Sequence, residues 1–439
     1  MARKTFVSLF VFFISCSALA QPAEKNWTIL VYMAADNDLD IFADRNIKQM
    51  MKVGASKNFN LVLCVNTCEK KYKIKTTKII SIEKNNARIL KKTTQPRLTD
   101  SGNEQTLIDF CKYAITMFPA EKYALIFWDH GTGAIDPFMR RNIRTSDLFL
   151  FDQNESSQFS PDYLSSINIT EQEKPQYKAF CFDDSTGNFF TEKKVTKALT
   201  KICSECLDNK KFDLIGFDAC LMAMIETASF IKEFGNFMVA SQEVELGAGW
   251  DYKKVLTPFL FKDLSPEEFG RHIVDTYAQT YNFIDDYTLS CIDLQKLEPL
   301  EENIKQIAHL LHTFCKQKSN TFIFDAIKTS RFRHTCTHFD EPDFIDLVHF
   351  YQNLLHNLQK RAHCNTKKAT HLNTDLERLL QQGIEFAQQT VVANKTGPYF
   401  SDASGISIYF PEYSIHRSYK SNSFATNLLW LPFLKTYFS

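Results

Sequence analysis

The feature that most restricts the fold is a series of short, almost wholly apolar runs separated by segments of helical period. Trp27 to Ala35, Phe59 to Thr67, Tyr123 to Trp128, Phe212 to Phe217 and Phe237 to Ser241 each have the length of a strand. Between them lie Asp40 to Val53, residues 103–118, residues 191–206, and Leu221 to Phe234, which stops before Gly235. Within 103–118, Leu107, Ile108, Cys111, Ala114, Ile115 and Phe118 recur at the three-four spacing of one helix face. A strand that is apolar at successive positions has no face for water and must be covered on both sides. Helices alternating with such strands meet that demand in a parallel sheet. The expected class is α/β, with a mostly parallel central sheet flanked by helices.

Two regions break the rhythm. Residues 132–178 are polar, rich in Asp, Asn and Ser, and have no clear period, so an exposed insertion open to nicking is expected there. Further on, residues 265–281, 293–315, 344–358 and 372–392 have helical patterns, with a strand expected from Thr288 to Leu294. Gly405 to Pro411 reads as a late strand, stopped by proline and returning to the main sheet. The expected organisation is a signal segment at 1–20, a core at 21–294, a mostly helical subdomain at 295–399, and a returning strand with a C-terminal helix at 400–439.

The first residues are a processing signal. Arg3 and Lys4 precede an apolar stretch from Phe6 to Phe13, and Ala18-Leu19-Ala20 supplies the small-residue cleavage pattern. Cleavage is expected after Ala20. Phe13-Ile14-Ser15 fits a lipid-attachment box poorly, so ordinary cleavage is favoured over a lipid anchor at Cys16. No later stretch is long enough to span a bilayer, so an exported protein without an integral membrane segment is expected. Lys+Arg and Asp+Glu are both 51 and the formal net charge is zero. The basic excess of a nucleic-acid-binding surface is missing, so nucleic acid is not the expected partner. Nothing in the sequence specifies an oligomeric state. Export permits disulfides among the 12 cysteines. Cys64/Cys68 and Cys203/Cys206 are equally consistent with free thiols, and several cysteines sit in apolar runs, where they act as small hydrophobes.

The third and fourth apolar runs end alike. One continues into Asp129-His130-Gly131-Thr132-Gly133, the other into Asp218-Ala219-Cys220-Leu221-Met222. Open α/β sheets bind ligands at the carboxyl ends of their strands. A His and a Cys at two such ends are a base and a thiol nucleophile. The thiolate is the reactive species, favoured by a cationic His or a helix N-terminus. Cys220 is expected to open the helix that runs to Phe234, which adds the dipole. Gly131 lets the backbone approach a substrate, and its N–H with that of Cys220 would face a developing oxyanion. Taken singly, each residue reads more simply as a packing cysteine and a loop histidine. Their joint placement favours acyl transfer.

These blocks resemble the clostripain family of cysteine peptidases, whose fold is caspase-like. Trp27 to Leu39 resembles the opening strand, Trp128 to Gly133 the histidine motif, and Asp218 to Met222 the cysteine motif. Ser241 to Glu245 with Gly249 to Tyr252 is similar to the following segment, and Gly405 to Pro411 to the late strand. The resemblance implies a His130–Cys220 dyad, a thioester acyl-enzyme, and protein or peptide substrates cut after Arg or Lys. It implies Asp218 as the acid of the specificity pocket, although an N-cap role for Asp218 fits the same position. Asp251 is a second pocket candidate, and Ser241, Gln242 and Glu243 would pair with substrate backbone by strand addition. Maturation by cleavage after the histidine strand points to Arg140, Arg141 and Arg144. Ala134 departs from the pattern, since relatives often carry an aromatic there, and residues 295–400 match no block of it.

The chemistry needs no metal. Asp183 with Asp184, and Asp36, Asp38 and Asp40, are candidates for a regulatory calcium ion, to which some relatives respond; the latter run lacks the glycine and terminal Glu of an EF-hand loop, and Asp40 more simply caps the helix that follows. His334, Cys336 and His338 alternate as three ligands would but lack an obvious fourth. Two other functions compete. The same dyad can pass its acyl group to an amine, as a transpeptidase or ligase does. A catalytically silent groove could hold basic peptides, and the intact His130 and Cys220 speak against it.

Overall fold

The computed structural model describes residues 24–69, 71–95, 99–135, 149–151, 157–159, 180–316, 321–364 and 371–439. The signal segment and Arg140, Arg141 and Arg144 lie outside them. In chain order the strands are β1 (Lys25–Ala35), β2 (Phe59–Glu69), β3 (Ile74–Glu83), β4 (Asn86–Thr93), β5 (Ala120–Trp128), β6 (Phe149–Phe151), β7 (Ser157–Phe159), β8 (Phe180–Asp183), β9 (Asn188–Phe190), β10 (Phe212–Asp218), β11 (Gly235–Ala240), β12 (Thr288–Asp293), β13 (Phe344–Asp346), β14 (Val391–Thr396) and β15 (Ser407–Tyr409). Nine of them form one sheet in the order β14-β12-β11-β10-β5-β1-β2-β3-β4. The five central strands, β11, β10, β5, β1 and β2, are parallel, and antiparallel strands extend both edges.

The helices are α1 (Asp40–Val53), α2 (Glu104–Met117), α3 (Glu192–Cys206), α4 (Ile225–Ile231), α5 (Tyr252–Leu256), α6 (Pro266–Thr280), α7 (Leu297–Lys316), α8 (Thr321–Ser330), α9 (Leu347–Cys364), α10 (His371–Thr390), α11 (Ser423–Asn427) and α12 (Trp430–Tyr437). Their ends are written locally. Ser265 and Glu268 close a capping box on α6, with Pro266 in the first turn, and the Thr191 hydroxyl accepts from Lys194 N–H at the start of α3. Both faces of the sheet are covered, as continuous apolar strands require. Tyr32, Phe127 and Phe217 point into one core with Leu107 of α2 and Leu199 of α3. Val31, Ile126 and Leu214 point into the other with Met50 of α1 and Ile273 of α6.

Three expectations change. The late strand does not return to the main sheet: β15 pairs antiparallel with β13, and Met224 and Ser407 form a parallel bridge beside it. The strand that does return is β14, where β-branched Val391 pairs with Ile292 of β12, and Val392 follows at a register shift, instead of prolonging the preceding helix. Nor do the C-terminal helices hold a core of their own, since Leu300, Leu354 and Trp430 belong to the same cluster as Phe127 and Phe217. The insertion contributes β6 and β7, which pair antiparallel. Among the described residues ten cysteines, including Cys64, Cys68, Cys203 and Cys206, are in no disulfide. No helix among the described residues is long and apolar enough to cross a membrane.

Candidate active site

Adjacent parallel strands bring the two motifs together. Trp128 at the end of β5 is in register with Asp218 at the end of β10, and Asp129 N–H donates to Asp218 O at 3.2 Å. His130 and Cys220 therefore stand two residues beyond the same rung, on strands about 4.8 Å apart. Gly131 shows how closely these tips pack: a Cβ on it would lie 2.4 Å from the Cys220 carbonyl oxygen. His130, Cys220, Asp218 and Glu245 line one cleft of about 290 Å³, counting its mouth.

The histidine is held from two sides. Its Nε2 lies 2.8 Å from Oδ1 of Asp38, in the loop after β1. Its neighbour Asp129 is buried and fixed by Asn37 Nδ2 at 2.6 Å and by the Phe182 N–H of β8. Burial pushes the Asp129 carboxyl up in pKa. Asp36 and Asp183, offered as calcium ligands, both hold Lys75. Among the described residues no three His, Cys, Asp or Glu side chains are grouped to hold a metal ion. His338 is bound through both ring nitrogens to the carbonyls of Pro342 and Arg331, each at 2.7 Å.

The cysteine does not open a helix. Cys220 to Met224 form an irregular turn, Leu221 adopts a left-handed φ of 63°, and α4 begins only at Ile225. A left-handed leucine persists because its surroundings fix it. Leu221 N–H donates to Glu243 O at 3.1 Å and Ala223 N–H to Ser241 O at 2.7 Å. The backbone edge expected to pair with substrate at Ser241, Gln242 and Glu243 is therefore occupied by the nucleophile's own turn. Their side chains also face inward: Ser241 Oγ donates to Thr288 O, Gln242 Nε2 to Asp346 Oδ2, and Glu243 accepts from Asp340 N–H. The thiol sulfur accepts from Glu245 N–H at 3.3 Å.

Asp218 is not an N-cap. Its Oδ1 accepts from Trp250 N–H at 3.1 Å and its Oδ2 from the Tyr252 hydroxyl at 2.8 Å, and the residue lines the cleft. Desolvation outweighs these bonds and pushes it up to about 7. Asp251 does take the cap role instead, accepting from Lys254 N–H at the start of α5, and is absent from the cleft lining. Sequence reasoning missed Glu245 altogether, and offered Asp38 only as an ion ligand, not as the partner of His130. Each lies in a quoted block, but its contacts cross more than twenty residues of chain.

A sequence profile described as the clostripain family matches residues 31–159 and 167–437. The chain belongs to the clostripain family. It is 26% identical to clostripain of Hathewaya histolytica over 252 residues, a match covering 52% of this chain and 41% of that one. In fold it is similar to a secreted C11 cysteine protease from Bacteroides thetaiotaomicron in complex with an irreversible peptide inhibitor, with a TM-score of 0.59 and 16% identity over 92% of this chain and 99% of that one. An inactive zymogen C11 protease from Parabacteroides distasonis has a TM-score of 0.60 and 17% identity over 93% and 99%. The caspase-like α/β architecture expected from the clostripain resemblance is the architecture observed.

Proposed function

We propose that the chain is an exported cysteine endopeptidase that hydrolyses peptide bonds after arginine, and also lysine, through His130 and Cys220. One observation carries this reading: a His and a Cys on neighbouring in-register strand tips share a cleft with buried acids. His130 takes the thiol proton, and the Cys220 sulfur attacks the scissile carbonyl carbon. The N–H groups of Gly131 and Cys220 hold the oxyanion. Collapse expels the amine, which takes the proton from the imidazolium and leaves a thioester. Water activated by His130 then releases the acid. No metal enters these steps. A guanidinium or ammonium group at the base of the cleft meets Asp218 in a charge-assisted hydrogen bond.

Export rests on the Arg3 to Ala20 signal pattern and on the secreted Bacteroides relative. Self-cleavage at Arg140, Arg141 or Arg144 follows from the same specificity. A peptide panel with Arg, Lys or neutral residues before the scissile bond, under reducing conditions, tests the whole. Cleavage after Arg and Lys is expected in wild type and lost in Cys220→Ser and His130→Ala. Wild-type turnover by Cys220→Ser would refute the dyad.

A further inference from the structure

The base of the cleft holds a second acid. Asp218 and Glu245 line it together, 5% and 3% exposed. The two are held differently. Asp218 takes the Trp250 N–H and the Tyr252 hydroxyl, and Gly249 presses so close that a Cβ there would lie 2.6 Å from Oδ1. Glu245 is anchored by its backbone, whose N–H reaches the Cys220 sulfur. Neither of its carboxyl oxygens receives a well-formed hydrogen bond from a protein donor. Its polar neighbours are the Asp218 carboxyl, the Ala219 backbone and the Trp250 indole. Two buried carboxyls facing one another cannot both ionise cheaply, and a proton between them turns repulsion into a hydrogen bond. Burial, and then each other's charge, pushes Glu245 well up.

We propose that Glu245 is a second specificity-determining residue: its carboxyl and that of Asp218 share one proton when no cation faces them, and an entering guanidinium or ammonium group displaces it. This rests on the basic-residue specificity proposed above. The proton goes to solvent, the side chain's positive charge replaces it, and no covalent bond changes. Binding of a basic residue then strengthens as pH rises, by up to about tenfold per pH unit while one proton is released.

Other groups face the pair. The phenols of Tyr252, Tyr277 and Tyr281 are held neutral by burial. Arg45 and Asp251 act on Tyr281 from further out. Asp129, Cys220 and His130 share the cleft. Because the dyad titrates with the chemistry and the acid pair with binding, KM and kcat separate the two.

The experiment measures KM and kcat for Arg and Lys peptides between pH 5.5 and 8.5, in roughly half-unit steps, for wild type, Glu245→Gln and Glu245→Asp. Wild-type KM is expected to fall with rising pH. In Glu245→Gln, which still donates to Asp218 but cannot release a proton, KM stops falling above about pH 7, where Asp218 is already ionised, and is about tenfold higher at the alkaline end. Glu245→Asp keeps the slope, and kcat keeps its pH dependence throughout. Parallel KM slopes above about pH 7 in wild type and Glu245→Gln would overturn the shared proton while leaving basic specificity intact. Loss of that slope in Glu245→Asp as well would show a packing role and overturn it too. If wild type cuts only after uncharged residues, the underlying specificity fails first, and the proposal with it.

Discussion

A carboxyl buried beside Glu245 and Tyr252, with its pKa raised to about 7, binds a proton in the folded chain that the unfolded chain releases near pH 4. Between those values the folded state holds more protons, so stability falls as pH rises through the window. Asp218→Asn should therefore raise the melting temperature at pH 8 by roughly 2–4 °C, while lowering kcat/KM for Arg peptides about a hundredfold. His416 works in the opposite sense. Burial lowers it to about 4, so it stays neutral in the fold while the unfolded chain protonates it near 6.5. Its contribution is complete above pH 6.5 and is lost as pH falls towards 4. The slope of unfolding free energy against pH in that window, from urea titrations, should be shallower in His416→Gln. Asp38 acts on chemistry: with its carboxylate 2.8 Å from His130 Nε2, Asp38→Asn should lower kcat about tenfold or more with little change in KM. Cys220 and His130 were legible because each follows an apolar run. The histidine-holding role of Asp38 and the place of Glu245 were not, because what marks them is a contact made across the fold.

At the scale of elements, the strands and most helices followed from period alone, since a sheet covered on both faces leaves no polar positions to blur the pattern. The turn after β10 did not. Apolar Leu221 to Met224 reads as helix, yet hydrogen bonds to the Ser241 and Glu243 carbonyls pull it out of helical conformation. The same long-range contacts closed the edge on which Ser241, Gln242 and Glu243 were expected to meet substrate. Gly249 is the sharpest test of this packing. Its φ is 62° and a Cβ would collide with the Asp218 carboxyl. Gly249→Ala should cost about 1–3 kcal/mol in chemical denaturation and weaken binding of basic peptides.

Across the whole molecule, Asp346 joins the C-terminal region to the cleft. Fully buried, it accepts from Gln242 Nε2 at 3.0 Å, His349 N–H at 2.8 Å and Ser404 N–H at 2.6 Å. Asp346→Ala strands these donors in the interior. It should lower unfolding free energy by about 2–4 kcal/mol and reduce turnover, though no substrate touches it. The helices after Leu297 are thus part of one core, and an isolated core ending at 294 should be insoluble or unfolded on expression. The amino-acid sequence by itself determined the α/β class, the parallel centre of the sheet and the two strand tips that carry His130 and Cys220, because apolar period and strand ends are local properties of the chain. Only the tertiary structure decided that β14 closes the sheet, that Asp38 meets the histidine, that Asp218 lines the cleft and that Glu245 lies against it. Those are contacts between distant segments, fixed by burial and hydrogen bonding that no local pattern encodes.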